Sequence, residues 1–187
     1  MIVLLLFLAL FVFAGLWVAT VYNSLILYKH ETLNAWKQID VQLKRRYDLI
    51  PNLVEAVKGA MQHEKDTLAK VVDLRGKAVS AQGVADKAAQ EQLLSGALRQ
   101  LFVLAENYPQ LKTSQNVIKL QEELTSTENR IGFSRQFYND IATKFNIAQQ
   151  TFPTRVIAGF LGFKRAELFE LEDGSHKTAP AVDLTIK

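Results

Sequence analysis

The sequence predicts an all-α protein in which an N-terminal transmembrane helix leads into an elongated antiparallel bundle of long helices. Two observations support this fold class. The chain begins with an uncharged apolar run that is long enough to cross a bilayer as a helix. In the rest of the chain, apolar residues recur at the spacings that mark one buried face of an α-helix, and no segment alternates like a strand.

The N-terminal segment carries no charged side chain before Lys29. Residues 2–21 supply about 20 apolar positions, and Trp17, Tyr22 and Tyr28 place amphipathic rings near the far membrane interface. A cleaved secretory signal is the alternative. However, the segment has no basic n-region, its apolar run is long, and no A-x-A site follows it. We therefore predict a retained single-pass anchor that contacts the lipid bilayer through residues 2–21.

The first helix of the bundle is predicted to run through a proline. Its apolar stripe keeps one phase at Trp36, Ile39, Leu43, Tyr47, Ile50, Val54, Val57 and Met61. A proline inside a helix costs about 3 kcal/mol. A new helix that began at Pro51 would nevertheless need Ile50, a poor N-cap. We expect a helix kinked at Pro51 that continues to about Val79, a rod of about 68 Å from Asn34 at 1.5 Å per residue.

Further helices follow from the same periodicity. The second should span Val84 to Asn107, and its inward residues are expected to be Ala88, Leu93, Leu94, Ala97, Leu101 and Leu104. Ser114 is a suitable N-cap for a third helix that ends before Phe152-Pro153, and a short amphipathic segment spans Thr154 to Phe163. Residues 1–28 are thus assigned to the anchor and membrane exit, 29–172 to the bundle, and 173–187 to a flexible tail.

The composition argues against most chemistry. The absence of cysteine excludes disulfides, thiolate metal sites and cysteine nucleophiles, and a net charge of only +3 with interspersed acids and bases argues against nucleic-acid binding. His63-Glu64 begins like a zinc-protease motif, but the second histidine of H-E-x-x-H is replaced by Thr67. No phosphate loop, nucleophile elbow or Glu-x-x-His pair follows. We predict no catalytic residue, no metal and no cofactor.

One charged group has two interpretations. Asp40, Arg45, Arg46 and Asp48 could form the solvated face of a long helix, supported by pairs such as Asp40 and Lys44. Alternatively, they could form a polar layer that faces another helix or subunit. The candidate partners on the last long helix are Glu128, Asn129, Arg130, Arg135 and Asn139. Asparagines at positions 129, 139 and 146 lie beside the apolar stripe, where an amide can fix register.

The chain resembles the LemA family over nearly its whole length. The resemblance is carried by Tyr22-Asn23-Ser24-Leu25, AWKQIDVQLKRRYDLIPNLVEAVKG (residues 35–59), His63-Glu64, Arg75, Tyr108-Pro109-Gln110-Leu111-Lys112, ENRIGFSRQFYND (residues 128–140), Phe145-Asn146 and Phe152-Pro153. It implies a bacterial envelope protein with an N-terminal anchor, a bundle of long helices and no established enzymatic activity. One relative is linked to magnetosome formation, which hints at membrane organisation.

Two cues disagree on the side of the membrane that the bundle faces. Lys29, Lys37 and the basic residues 44–46 follow the anchor, so the positive-inside rule places the bundle in the cytoplasm. Some relatives instead replace the anchor with a lipoprotein cysteine before the Tyr-Asn pair, which implies an extracytoplasmic domain in those proteins. This chain has no cysteine there, and its anchor is assigned to the bacterial inner membrane. We lean slightly towards the extracytoplasmic side.

The sequence is compatible with three functions. The first is a non-enzymatic, membrane-anchored scaffold or adaptor that binds an unknown protein partner or forms a homo-oligomer. The second is membrane remodelling or organisation, with residues 154–163 lying on the bilayer and flanked by Arg155, Lys164 and Arg165. The third is a cryptic hydrolase, for which no polar pocket can be assembled from the sequence.

Overall fold

The computed structural model describes residues 1–170, and all of its regular structure is helical. The helices are α1 (Ile2–Lys58), α2 (Lys65–Ser80), α3 (Val84–Ala105), α4 (Pro109–Lys112), α5 (Gln115–Gln150) and α6 (Thr154–Phe160). Residues 161–170 follow α6 without regular structure. The predicted tail, residues 173–187, lies outside the described residues.

Helix α1 joins the apolar N-terminal segment to the bundle without a break. Its first 20 residues expose almost all of their apolar side chains, and from Leu25 onward one face becomes buried. Within residues 1–170, α1 is the one helix long and apolar enough to span a membrane. The helix also continues through Pro51, so the proline does not end it.

The predicted rod to Val79 is wrong, because α1 ends at Lys58. The chain turns between Gly59 and Glu64, and α2 begins at Lys65. Met61 is fully buried inside this turn, where it packs with the hydrophobic core. The step of four residues from Val57 to Met61 therefore fits both a continuing helix and a turn that buries its own apolar residue.

The four long helices run in alternating directions. Tyr47 on α1 contacts Ala78 on α2 and Glu91 on α3, so α2 returns along α1 and α3 reverses again. Helix α5 then runs back beside α1: Arg45 faces Glu123, Trp36 faces Tyr138, and Leu25 packs near Phe145. This arrangement confirms the predicted elongated antiparallel bundle.

Helix α3 differs from its predicted stripe at one turn. Leu93 was expected to face inward, but it is 54% exposed. The inward position of that turn belongs to Glu91, which is 3% exposed and lies between Ala88 and Leu94. This exchange places a carboxylate in the centre of the bundle.

Candidate functional site

Arg46 forms the centre of a buried polar cluster that joins three helices. Its side chain on α1 is only 1% exposed and is ion-paired with Glu91 of α3 and Glu128 of α5. It also donates a hydrogen bond to Ser95 Oγ at 2.9 Å, and Ser95 donates in turn to Glu128 Oε1 at 3.1 Å. A buried charge is tolerated only when it is paired and hydrogen-bonded. The cluster therefore specifies how α1, α3 and α5 meet.

Tyr47 extends the cluster towards α2. Its hydroxyl donates to the Ala78 carbonyl at 3.2 Å and also contacts the Glu91 carboxylate. Arg75 Nε donates to the Tyr47 carbonyl at 2.7 Å, and Lys87 Nζ donates to the Ala78 carbonyl at 2.9 Å. Burial raises the pKa of Tyr47 to about 12, although the neighbouring Arg46 charge opposes the shift. Burial likewise lowers the pKa of Arg46, opposed by Glu128.

Tyr47 should make the protein lose stability in alkaline solution. The pKa of Tyr47 is raised in the folded state. Its contribution to the free energy of unfolding is therefore fully present below pH 10, the ordinary pKa of tyrosine, and is lost as the pH rises towards 12. The expected loss in unfolding free energy at pH 11 is about 1 kcal/mol relative to pH 8. Denaturant unfolding of Tyr47→Phe across pH 8–12 should give a shallower decline than the parent chain. The difference at pH 8 isolates the lost hydrogen bonds, and an unchanged alkaline slope would contradict the assignment.

The structure brings together only part of the predicted polar layer. Arg46 and Glu128 are paired, whereas Arg45 lies 3.7 Å from Glu123 with both side chains about half exposed. Asp48 and Asn129 are exposed to solvent. Asp40 is also exposed, and partial burial raises its pKa against the opposing charge of Lys87. Arg46 thus has an interior role that Asp40, Arg45 and Asp48 do not share.

A groove of about 160 Å³ opens beside the Arg46 cluster, lined by residues that include Ser95, Arg99 and Glu128. The carboxylates of Glu91 and Glu128 both face the Arg46 guanidinium. Within residues 1–170, no group of three or more His, Cys, Asp or Glu side chains is placed to hold a metal ion.

A second polar site holds the chain after α6. Residues 164–170, which we name the C-terminal strap, lie along α5. Asn146 Oδ1 accepts from the Ala166 backbone N–H at 2.8 Å and its Nδ2 donates to the Ala166 carbonyl at 2.9 Å. Asn139 makes the same pair of bonds with Phe169, at 2.8 and 3.1 Å. Each asparagine therefore satisfies both polar groups of one strap residue.

The spacing of the two asparagines matches an extended peptide. Seven residues on a helix rise about 10.5 Å, and three residues of extended chain span about 10 Å. Asn139 and Asn146 can therefore meet Phe169 and Ala166, which are three residues apart, when the strap runs antiparallel to α5. The sequence indicated only that these amides can fix register, and in the structure Asn139 and Asn146 position the strap on α5.

Phe169 fixes the end of the strap in the core. Its ring is 1% exposed and lies 6.0 Å from the Trp36 ring, between centroids. Trp36 also packs edge-on against Tyr138 at 5.4 Å, and the Arg135 guanidinium lies 4.9 Å from the Phe169 ring centroid. Tyr138 donates to the Glu167 carbonyl at 2.7 Å. Arg135 thus contacts the strap site, and its charge also acts on Arg46 and Glu128 of the Arg46 cluster.

A small apolar cluster forms where α1 leaves its uncharged segment. Leu25, Phe145 and Ala158 are buried together, so α1, α5 and α6 meet at this level. The Tyr22 and Phe163 rings lie 6.4 Å apart in edge-to-face contact. Among the predicted interface aromatics, Trp17 is 37% and Tyr22 42% exposed, and Tyr28 packs against the cluster.

Sequence reasoning missed Glu91, Ser95, Tyr47 and Phe169 as members of these sites. For Glu91 a signal was available, because it falls at helical spacing between Ala88 and Leu94 on the apolar stripe. A charged residue on a stripe points to a buried partner of opposite charge. The strap offers no such signal, since its backbone bonds leave no pattern in its side chains.

Comparison with known proteins places this architecture in a family. The family model described as LemA family matches residues 35–184. The chain is 28% identical to Protein LemA of Metamycoplasma hominis, an alignment that covers 81% of this chain and 69% of that protein. It is 26% identical to Magnetosome protein MamQ 2 of Paramagnetospirillum magneticum, covering 80% of this chain and 64% of that protein.

A further magnetosome protein, MamQ of Magnetospirillum gryphiswaldense, is 24% identical over 79% of this chain. The chain spans only 64% of the length of these MamQ proteins. These relatives are named as LemA and magnetosome proteins and not as enzymes. Because the family model covers all four long bundle helices from residue 35 onward, both polar sites lie within the matched region. The chain belongs to the LemA family.

Proposed function

We propose that this protein is a non-enzymatic, membrane-anchored scaffold of the bacterial envelope that acts through protein–protein contacts or self-association. The observation that carries the proposal is the continuity of α1, which passes from the apolar segment into the bundle core as one helix. A flexible linker would let the bundle tumble above the membrane. A continuous helix instead holds it at a defined height above the bilayer, as a scaffold requires.

The bundle also carries an exposed apolar strip suited to protein contact. Phe133 is 74% and Phe137 47% exposed one turn apart on α5, and Val41 is 63% exposed on α1. Phe137 lines a groove of about 530 Å³ together with Gln38 of α1, which lies one turn before Val41. We name Val41, Phe133 and Phe137 the contact strip. Exposed aromatic side chains of this kind are enriched in interfaces.

Single-cysteine crosslinking tests the scaffold directly, since the chain contains no cysteine. The full chain carrying Phe137→Cys should form crosslinked species in bacterial membranes, either a homodimer or a discrete heavier adduct. Val103→Cys on α3, a position 60% exposed, is the matched control and should remain monomeric. A strict monomer at position 137, confirmed by mass measurement in detergent, would count against the proposal.

Membrane organisation is the second candidate. It is favoured by Phe160 of α6, which is 90% exposed beside the membrane end of α1, and by similarity to proteins named for the magnetosome. Reconstitution of the full chain into large vesicles should then change vesicle shape as protein density increases. Vesicles that stay spherical at high protein density would exclude remodelling and would not contradict the scaffold proposal.

We propose that the anchor lies in the inner membrane and the bundle outside the cytoplasm. Protease added to intact spheroplasts should then degrade the bundle and leave the anchor. Protection until the membrane is lysed would place the bundle in the cytoplasm, as the basic residues after the anchor would favour.

A further inference from the structure

Helix α6 presents apolar side chains that nothing within residues 1–170 covers. Phe152 is 81%, Val156 65% and Phe160 90% exposed. Val156 and Phe160 are four residues apart and so lie along one side of α6, whereas Ala158 on the opposite side is buried against α1 and α5. Phe152 lies in the turn that leads into the helix. We name Phe152, Val156 and Phe160 the α6 patch. Two phenylalanines exposed to this extent are costly in water.

The height of α6 along α1 identifies its surroundings. Ala158 packs with Leu25 and Val21, and Phe163 contacts Tyr22. The helical rise from Ile2 to Val21 is about 28 Å, and the hydrocarbon core of a bilayer is about 30 Å thick. When residues 2–21 span the bilayer, α6 lies where the hydrocarbon gives way to the headgroups.

The basic residues around α6 suit the headgroup side of that boundary. Arg155, Lys164 and Arg165 flank the α6 patch, and all three side chains are exposed. Among the described residues, none of the three has a carboxylate within 4.0 Å. Exposed basic residues next to inserted aromatic rings are typical of helices that lie on anionic bilayers.

We infer that α6 is a second membrane contact, which inserts the α6 patch at the interface and binds anionic phospholipid headgroups through Arg155, Lys164 and Arg165. The inference rests on the membrane anchorage in the proposed function but is independent of any protein partner. Together with α1 it gives the bundle two attachments to the same bilayer. Two attachments fix the tilt of the bundle, which α1 alone leaves free.

Spin labels can measure this contact on the full chain in lipid nanodiscs. Because the chain has no cysteine, Phe160→Cys and Phe152→Cys each give one labelled site. Both labels should be relaxed more by oxygen, which partitions into lipid, than by a water-soluble nickel complex. Val103→Cys, 60% exposed on α3, is the control and should show the opposite preference.

The possible results separate lipid from the alternatives. A label at position 160 that matches the one at 103 would show a water-facing α6 and overturn the inference. Low access to both relaxants would show burial by protein, as in contact with a second copy, and would also overturn it. Helical circular dichroism of each variant should match the parent. Crosslinking at position 137 is unaffected by these outcomes, so failure here is distinguishable from failure of the scaffold.

Lipid charge provides the second measurement. Adding roughly 30% phosphatidylglycerol to phosphatidylcholine nanodiscs should raise the oxygen preference at position 160 several-fold, because basic residues are attracted to anionic headgroups. The triple variant Arg155→Gln, Lys164→Gln, Arg165→Gln should lose this dependence on anionic lipid. A triple variant that responds like the parent would overturn the role of these three residues.

Discussion

Replacing Arg46 with methionine should lower the free energy of unfolding by about 3–5 kcal/mol, because it leaves a carboxylate buried without its partner. Glu91 is 3% exposed and is paired with Arg46 in the centre of the bundle. Methionine is flexible enough to fill the space, so the loss reports the charge more than the volume. Denaturant unfolding of the full chain in detergent, followed by circular dichroism, measures the change.

The adjacent arginine is a matched control. Arg45 faces Glu123 at 3.7 Å with both side chains about half exposed, so Arg45→Met should cost less than about 1 kcal/mol. Adding Glu91→Leu to Arg46→Met should recover part of the loss, since both buried charges are then gone. Equal losses for Arg45→Met and Arg46→Met would contradict the assignment of Arg46 to an interior cluster.

Replacing Phe169 with alanine should release the C-terminal strap while the four long helices stay folded. Deleting a buried phenylalanine ring costs about 3–5 kcal/mol, a 100-fold or larger shift in the docking equilibrium. The Ala166 and Phe169 amides donate to asparagine side chains, so their exchange reports docking. Hydrogen exchange measured by mass spectrometry should rise over residues 164–170 and stay slow in α2 and α3.

Two further variants serve as comparisons for Phe169→Ala. Phe160→Ala removes a ring that is 90% exposed and should leave strap exchange unchanged. Asn139→Ala removes both hydrogen bonds to Phe169 and should destabilise strap docking by about 1–3 kcal/mol. Exchange should therefore accelerate less than it does for Phe169→Ala. If Phe169→Ala accelerates exchange equally throughout the bundle, the strap is part of one cooperative unit and the prediction of local release is wrong.

The helical architecture could be predicted because its signal is local. Positions such as Ile39, Leu43 and Ile50 repeat at the period of a helix, and each is buried in the bundle. The same signal could not locate the end of α1. Met61 continues the helical period although it is buried in a turn. Gly59, where the helix ends, keeps right-handed helical angles and so does not need to be glycine for a left-handed cap.

The polar sites depend on which helices become neighbours, and that is not a local property. Arg46, Glu91 and Glu128 come from three helices, so no spacing within one helix can connect them. A charged residue on an apolar stripe indicates that a partner exists, but its identity follows only from the antiparallel order. Asn139 and Phe169 are harder still, because an asparagine that binds backbone places no demand on the sequence it binds.

The unbroken course of α1 also sets a rotational phase between membrane and bundle. Each residue of a helix turns it by about 100° and lifts it by 1.5 Å. One residue inserted near Phe13 would therefore rotate the lipid-exposed faces of the anchor by about a quarter turn relative to Leu25, where the bundle begins to pack. If two anchors pair in the bilayer, the faces that their bundles turn towards each other are already determined by this phase.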